Sequence, residues 1–556
     1  MSTTSQLGNI LDSALKDGIV SQSRNELLHE LSSLHALKSV IESRINALAP
    51  VSRLLPEILA HIFSFLEEQL PIPTSSSRYE WDDRIQRTIE QNLGWIKVTH
   101  VCRYWRQVAL AHPRLWRNVS FGISEQWTKE LLNRSGACPI TVDLSNTVPQ
   151  YAWVPLLAEH LSHTQVLRLD KHFPLTELAL LSLPAPVLEE FLWLYSSGLF
   201  YSPSMFHISK PTTVTLPSPL FSDCAPRLRS IILRGWDNIP WASEQFARLT
   251  RLEIHGSEDN PDGSRRLDGP LPREDIATAL RSLRNVETLI LHWSLPSDQR
   301  AFGGLRPIKL PRLTHLSVVD KCPSVILLLQ NLVIRAVAST DITISAYSEM
   351  DDDDCRSMAS LLFAPLRHPL TLRTVEYSTG TEDSILKAWA FSVVGADSAD
   401  FLANGPHPPY LSLRCPLRAN LLFVALPLDG VRVFSIGHTE ETWTAQDWRT
   451  RLGRCRELEH VLVVSPRSAA TLVRALSARL ARRAPRPDRG VMFPKLRSIE
   501  YASRNRDPAV ISVDKMHMAR EERGLNRVEV VDLSGPKPWS WIERHKPTRE
   551  ERRSTS

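Results

Sequence analysis

From Gln22 to Ala49 apolar residues recur at alternating steps of four and three. They are Leu27, Leu31, Leu34, Ile41, Ile45 and Leu48, with Lys38 in the one polar slot of the series. This pattern predicts a helix with a coiled-coil-like seam over 22–49. Two readings of the seam stay open: it packs on its own domain, or it receives a partner helix or a second copy. Pro50 ends the run, and a second helix is predicted from Pro56. Proline suits the first helical position, where its missing N–H costs nothing, and Glu57 sits near the positive end of the helix dipole. Leu55, Ile58, Leu59, Ile62, Phe63 and Leu66 then make one wide apolar face. Residues 67–93 are polar, with Pro71, Pro73 and Ser75–Ser77; they read as an inserted loop with a short helix near 82–91. A third helix is predicted from Trp95 to Ala111, with Val98, Val101, Cys102, Trp105, Val108 and Ala109 on one stripe. Pro113 stops it, and Leu115 and Trp116 follow.

Past residue 120 the pattern changes to short strand cores of the form apolar-x-x-apolar-x-apolar. Leu188/Phe191/Trp193, Leu228/Ile231/Leu233, Leu249/Leu252/Ile254, Val286/Leu289/Leu291 and Leu313/Leu316/Val318 are the clearest. Leu372/Val375/Tyr377, Val431/Phe434/Ile436, Leu458/Val461/Val463, Leu496/Ile499/Tyr501 and Val528/Val531/Leu533 are weaker. Four cores are introduced alike, by Ala185-Pro186-Val187-Leu188, Ala225-Pro226-Arg227-Leu228, Leu310-Pro311-Arg312-Leu313 and Phe493-Pro494-Lys495-Leu496. The cores lie about 21 to 59 residues apart, with helical patterns between some of them, such as 272–283 and 469–482. That is the period of a solenoid whose repeats each contribute one strand and one crossover and bury their apolar face only by stacking. The predicted fold is therefore α+β: an N-terminal helix, an all-α domain over 50–118 with its insert at 67–93, and an irregular leucine-rich-repeat-like α/β array over 120–535. Residues 1–21 and 536–556 read as flexible or disordered ends, and 349–354 and 404–409 as loops.

Composition narrows the function. Among 556 residues there are only 21 Gly against 39 Pro, which leaves few glycine-rich loops for phosphates. The net charge of +5 is mild for this length. Seven widely spaced cysteines with no C-x-x-C fit neither a zinc site nor a disulfide framework. No apolar leader opens the chain, and the most apolar stretch, 324–338, is interrupted by Gln330, Asn331 and Arg335. A soluble protein of a reducing compartment, cytoplasmic or nuclear, with no membrane partner, is expected. None of the metalloprotease, P-loop, hydrolase-elbow or dinucleotide motifs occurs, so no enzyme activity and no cofactor or metal is expected. His61 reads as a half-exposed helix residue, and the aspartates at 351–354 read as a solvated loop. Arg479, Arg482, Arg483, Arg486 and Arg489 form a basic cluster without interleaved aromatics, so a nucleic-acid partner is not expected either. Trp193, Trp236 and Trp293 stand at or just after strand ends, as core or as a binding face.

The chemistry-bearing part is the pair of helices near the N-terminus. Leu55-Pro56-Glu57-Ile58, Val101-Cys102-Arg103-Tyr104-Trp105-Arg106 and the closing Leu115-Trp116 resemble an F-box position by position. With the preceding helix and the strand cores behind it, the chain resembles the F-box proteins of mushroom-forming fungi that carry divergent leucine-rich repeats. The 67–93 insert is longer than the family's usual connection. The resemblance implies docking on the Skp adaptor of an SCF-type ubiquitin ligase through Leu55, Pro56, Ile58, Leu59, Val101, Cys102 and Trp105, with an unidentified protein substrate held by the C-terminal repeats. The alternative is a non-ligase scaffold acting through the helix and the repeats.

Overall fold

The computed structural model describes residues 24–72, 94–121, 125–144, 153–170, 173, 175–194, 216–234, 239, 244–256, 275–295, 307–333, 338–345, 352–363, 372–379, 383–389, 409–416, 419–437, 442–463, 466–477, 492–501 and 513–532. The expected flexible ends, the helix near 82–91, the Arg479–Arg489 cluster, Trp236 and nearly all of 404–409 lie outside these residues. The chain forms two compact units, 1–149 and 150–556.

The first unit begins with α1 (Arg24–Leu48), which has no buried residue. A single turn of 3-10 helix at Pro50–Arg53 leads into α2 (Pro56–Gln69), with Pro56 in its first turn. The predicted third helix is in fact two pieces, a 3-10 segment over Gly94–His100 and α3 (Arg103–Ala111). The break is at Cys102, which is fully extended and whose Sγ accepts the Trp105 N–H at 3.5 Å as the cap of α3. After Trp116 the unit continues through β1 (Asn118–Ser120), α4 (Glu125–Ser135) and β2 (Ile140–Asp143), with β1 and β2 parallel.

The core around α2 and α3 includes Leu59, Ala60 and Phe63 from α2, Trp95, Ile96 and Val98 from the 3-10 segment, Val108 and Ala109 from α3, and Leu115 and Trp116. Phe63 packs on Trp105 with ring centroids 5.2 Å apart, and Trp95 meets Trp116 edge-on at 4.9 Å. Trp116 Nε1–H donates to the Ala109 carbonyl at 2.9 Å, so its polar edge is satisfied inside the core. The insert leaves this packing intact because its base is closed. The Trp95 N–H donates to the Leu70 carbonyl at 2.9 Å, and Gly94 turns the chain with φ +54°.

The second unit opens with α5 (Trp153–His160), followed by β3 (Thr164–Asp170), β4 (Glu190–Leu194), β5 (Ser230–Arg234), β6 (Arg251–His255) and β7 (Thr288–His292). Then come a two-residue strand β8 (Ile308–Lys309), β9 (His315–Asp320), a second short strand β10 (Leu332–Val333) and β11 (Ser339–Ile344). The series ends with β12 (Thr374–Thr379), β13 (Ser384–Trp389), β14 (Leu411–Cys415), β15 (Val433–Ile436), β16 (His460–Val463), β17 (Ser498–Tyr501) and β18 (Glu529–Asp532). From β3 to β11 each main strand pairs in parallel with the next, and so do β15 to β18. Between them the order is β11-β14-β13-β12-β15, with β13 antiparallel to both neighbours. This antiparallel excursion interrupts the run of parallel pairs.

Four of the strand cores share one local device. In all four proline-led segments the N–H of the leucine donates to the carbonyl three residues back: Leu188 to Ala185, Leu228 to Ala225, Leu313 to Leu310 and Leu496 to Phe493, at 3.1 to 3.2 Å. These are β-turns with proline at the second position, where its fixed φ belongs. The turn drops its leucine into the core, and the strand that follows sends alternate side chains to the same side. Leu188/Phe191/Trp193, Leu228/Ile231/Leu233 and Leu313/Leu316/Val318 are all inaccessible to solvent. Trp193 is thus a core residue, whereas Trp293 is half-buried. The last two cores are looser: Tyr501 in one and Val531 in the other are half-buried.

The apolar side of the sheet is covered by the crossovers, which include 3-10 segments at Leu175–Ser182, Leu220–Asp223 and Glu244–Arg248. The helices that follow are α6 (Asp275–Ser282), α7 (Cys322–Asn331), α8 (Asp352–Phe363), α9 (Ala419–Ala425), α10 (Ala445–Leu452), α11 (Pro466–Ser477) and α12 (Asp514–Glu521). From α7 onward each packs on its neighbour in the chain, and the β8–β10 pair bridges α6 and α7. The expected acidic loop is corrected here, since Asp352 to Asp354 form the first turn of α8. Carboxylates are favoured at a helix N-terminus, and Met358, Ala359, Leu362 and Phe363 bury the far side. Near the end of the described chain, buried Arg520 donates to the carbonyls of Asn526, Phe493, Pro494 and Leu496, tying α12 to the last proline turn.

The base of the insert gives a stability test. A methyl on Gly94 would lie 2.5 Å from the Pro71 carbonyl oxygen and 2.8 Å from that of Leu70, at a positive φ that side chains disfavour. Gly94→Ala is expected to destabilise the first unit by about 1–3 kcal/mol, read by chemical denaturation; an unchanged midpoint would remove Gly94 from this role.

Candidate functional site

The first unit presents an uncovered apolar surface built by α2 and the entry to α3. The helix carries apolar residues on two sides, and the domain covers only one. Leu59, Ala60 and Phe63 turn inward. Leu55, Ile58, Ile62 and Phe65, spaced three, four and three apart, form an outer stripe from the first turn to the last, and each is exposed, Leu55 to 65%. Val101, just before α3, is exposed to 57%. The wide apolar face expected of this helix is therefore two faces with different neighbours.

Rigid contacts hold the stripe in place. Tyr104 Oη–H donates to the Leu54 carbonyl at 2.6 Å, fastening the start of α3 to the entry of α2. The Leu59 N–H donates to the Leu55 carbonyl at 3.0 Å, so the first turn is closed immediately behind Pro56. At the other end Asn118 donates to the carboxylate of buried Glu67. The expected site residues separate accordingly. Leu55, Pro56, Ile58 and Val101 are exposed, Cys102 and Trp105 are half-buried, and Leu59 is inaccessible. Leu59 and Trp105 act from behind the surface, Trp105 through its contact with Phe63. Ile62 and Phe65 belong to the stripe and were not among the expected site residues. Their spacing from Ile58 is the signal that finds them.

The second unit carries a different surface. The side of the sheet away from the crossovers carries polar groups along the strand register, such as the row Glu190, Ser230, Arg251, Thr288 and His315. One such patch lies on β5 to β11. The Glu253 carboxylate is buried on β6 among Arg251 at 2.8 Å, His255 at 2.6 Å and Arg234 at 3.6 Å. The hydrogen bond from His255, joined by that from Arg251, overcomes burial and pulls Glu253 down to about 2. His255 and His292 are register partners on β6 and β7, with rings edge-on at 4.5 Å. Burial first, and then the neighbouring His255, pull His292 down to about 4, against the opposing charges of Glu253 and Asp341. His292 Nε2 lies 3.0 Å from Ser317 Oγ on β9. Among the described residues no group of three His, Cys, Asp or Glu is placed to hold a metal ion, and no helix is long and apolar enough to cross a membrane.

This patch makes stability depend on pH with a definite sign. His292 binds its proton near 6.5 when unfolded and only near 4 when folded. Its stabilising contribution is therefore present above about 6.5 and drains away as pH falls towards 4; that of Glu253 is present above about 4.5 and drains towards 2. The thermal midpoint of the full chain should fall between pH 6.5 and 4, and His292→Gln should flatten that slope. Superimposable slopes would contradict the assignment.

A search among curated proteins returned no match for the chain. A family model described as F-box-like matches residues 53–122, the span that holds α2, the insert, α3 and β1, so the chain carries an F-box-like domain.

Proposed function

We propose that the chain is a non-enzymatic substrate-recognition adaptor that docks on the Skp adaptor of an SCF-type ubiquitin ligase. The observation that carries this is the outer stripe Leu55, Ile58, Ile62 and Phe65, with Val101 beside the second helix, left uncovered on the domain that matches the F-box-like family. A contiguous apolar stripe of this kind on a small domain marks a partner site. In this reading Leu55, Pro56, Ile58 and Val101 touch the adaptor, Cys102 sets the start of α3, and Leu59 and Trp105 hold the surface in shape.

The second unit is, in the same reading, a divergent leucine-rich-repeat-like solenoid, of the fungal kind noted above, that holds a protein substrate on its polar side. What supports this is the run of parallel strands in chain order, several of them fed by a turn and a buried leucine, with ionisable groups on the side that the crossovers leave open. The antiparallel excursion at β12–β14 makes the array irregular. Action in the cytoplasm or nucleus follows from the proposed partner.

The test separates docking from folding. Co-expressed with a Skp adaptor, the full chain should co-purify at one to one. Ile58→Asp combined with Val101→Asp places two carboxylates on exposed positions. It should weaken the complex by about 100-fold or more through lost apolar burial, while the melting temperature stays at the wild-type value. Wild-type yield of the complex from the folded double variant would overturn the docking assignment.

A further inference from the structure

Helix α1 is attached to the first unit by its polar side. Ser39 and Ser43 are half-buried, and Arg103 donates to Ser39 Oγ at 2.8 Å. At 100° per residue these serines lie roughly 130° and 170° around the helix from the centre of the seam. Leu27, Leu31, Leu34, Ile41, Ile45 and Leu48 therefore face away from their own domain, and they are between 44% and 77% exposed. The helix is 25 residues long with nothing buried, so its apolar seam is complete only with a second helix.

Charge selects the occupant and its direction. The core-type positions of the seam include two basic residues, Arg24 and Lys38. Two copies side by side in parallel would set Lys38 against Lys38 and Arg24 against Arg24, like charges in two layers. Two copies running in opposite directions remove both conflicts. With the two-fold axis passing beside Ala36, Arg24 faces Leu48, Leu27 faces Ile45, Leu31 faces Ile41 and Leu34 faces Lys38. Every pair occurs twice by symmetry, so the whole helix is used. Lys38 suits such a layer. Its Nζ already reaches out to Glu42 Oε1 at 3.8 Å, which lets the aliphatic stem cover the facing Leu34. Glu30 and Arg44 fall on flanking positions that oppose each other across this interface, with opposite signs.

We propose that α1 is a homodimerisation helix, pairing antiparallel with α1 of a second copy of this chain through the seam from Leu27 to Leu48. The two chains then leave from opposite ends of a rod about 37 Å long, and each dimer carries two copies of both units, which raises the effective concentration of one site for a target held by the other. This pairing does not depend on ligase docking, because the seam shares no residue with the α2 stripe.

Sedimentation velocity of the full chain over a micromolar dilution series tests it. The wild type should run as a dimer. Ile41→Glu should raise the dissociation constant at least 100-fold with an unchanged melting temperature, and Lys38→Leu should lower it about tenfold, a gain that misfolding would not produce. Glu30→Lys and Arg44→Glu should each weaken the dimer several-fold, and the two together should restore it, which happens only if these positions face each other. A monomeric wild type, a dimer indifferent to Ile41→Glu, or a charge-swapped pair that stays weak would each overturn the proposal.

Discussion

Helix α2 carries more apolar surface than its own domain covers, and the functional reading depends on that imbalance. Leu59, Ala60 and Phe63 seat the helix on Trp105 and its neighbours; Leu55, Ile58, Ile62 and Phe65 are left exposed. A short chain segment cannot surround both sides of a helix, so the second side is either a liability or an interface. Pro56 and the Tyr104 bond to Leu54 make the surplus side rigid at its start, which lowers the ordering cost of covering it.

The second unit is built on the opposite balance. Its strands bury an apolar row on one side, and the crossovers cover that side almost completely: the residues that follow the proline turns are inaccessible one after another. The open side mixes half-buried apolar residues such as Leu192, Ile232 and Ile290 with charged and hydrogen-bonding groups, some held in tight clusters such as Glu253 with Arg251 and His255. Arg432, Glu459 and Arg497 make a similar ladder on successive repeats, with nitrogen-to-oxygen distances of 3.7 and 3.5 Å. In the proposed reading this solvated polar surface would select a partner by charge pattern and shape, unlike the greasy stripe of α2.

Much of this architecture was legible in the residues. The apolar-x-x-apolar-x-apolar pattern was readable because it records a turn and a strand together, and proline marked the turn. The strands β3, β11, β13 and β14 escape the pattern because Thr164, Ser339, Asp383 and Pro408 stand where its first apolar residue belongs, three residues before the apolar pair of each strand. Strand direction is invisible to a period of two, so the antiparallel excursion could not be read. In the N-terminal part, periodicity located the helices but not what covers them. The same spacing that puts Leu59 inward puts Ile62 and Phe65 outward, and only the packed structure assigns each side. The break before α3 was hidden because Cys102 continues the apolar stripe while its backbone leaves the helix.

The claim that the outer side of α2 exists to be covered is tested most directly by hydrogen–deuterium exchange of the full chain with and without purified Skp adaptor. The account predicts slowed exchange over residues 55–69 and 101–106 on adding the adaptor, with the strands of the second unit unchanged. No change over 55–69 at saturating adaptor would contradict it.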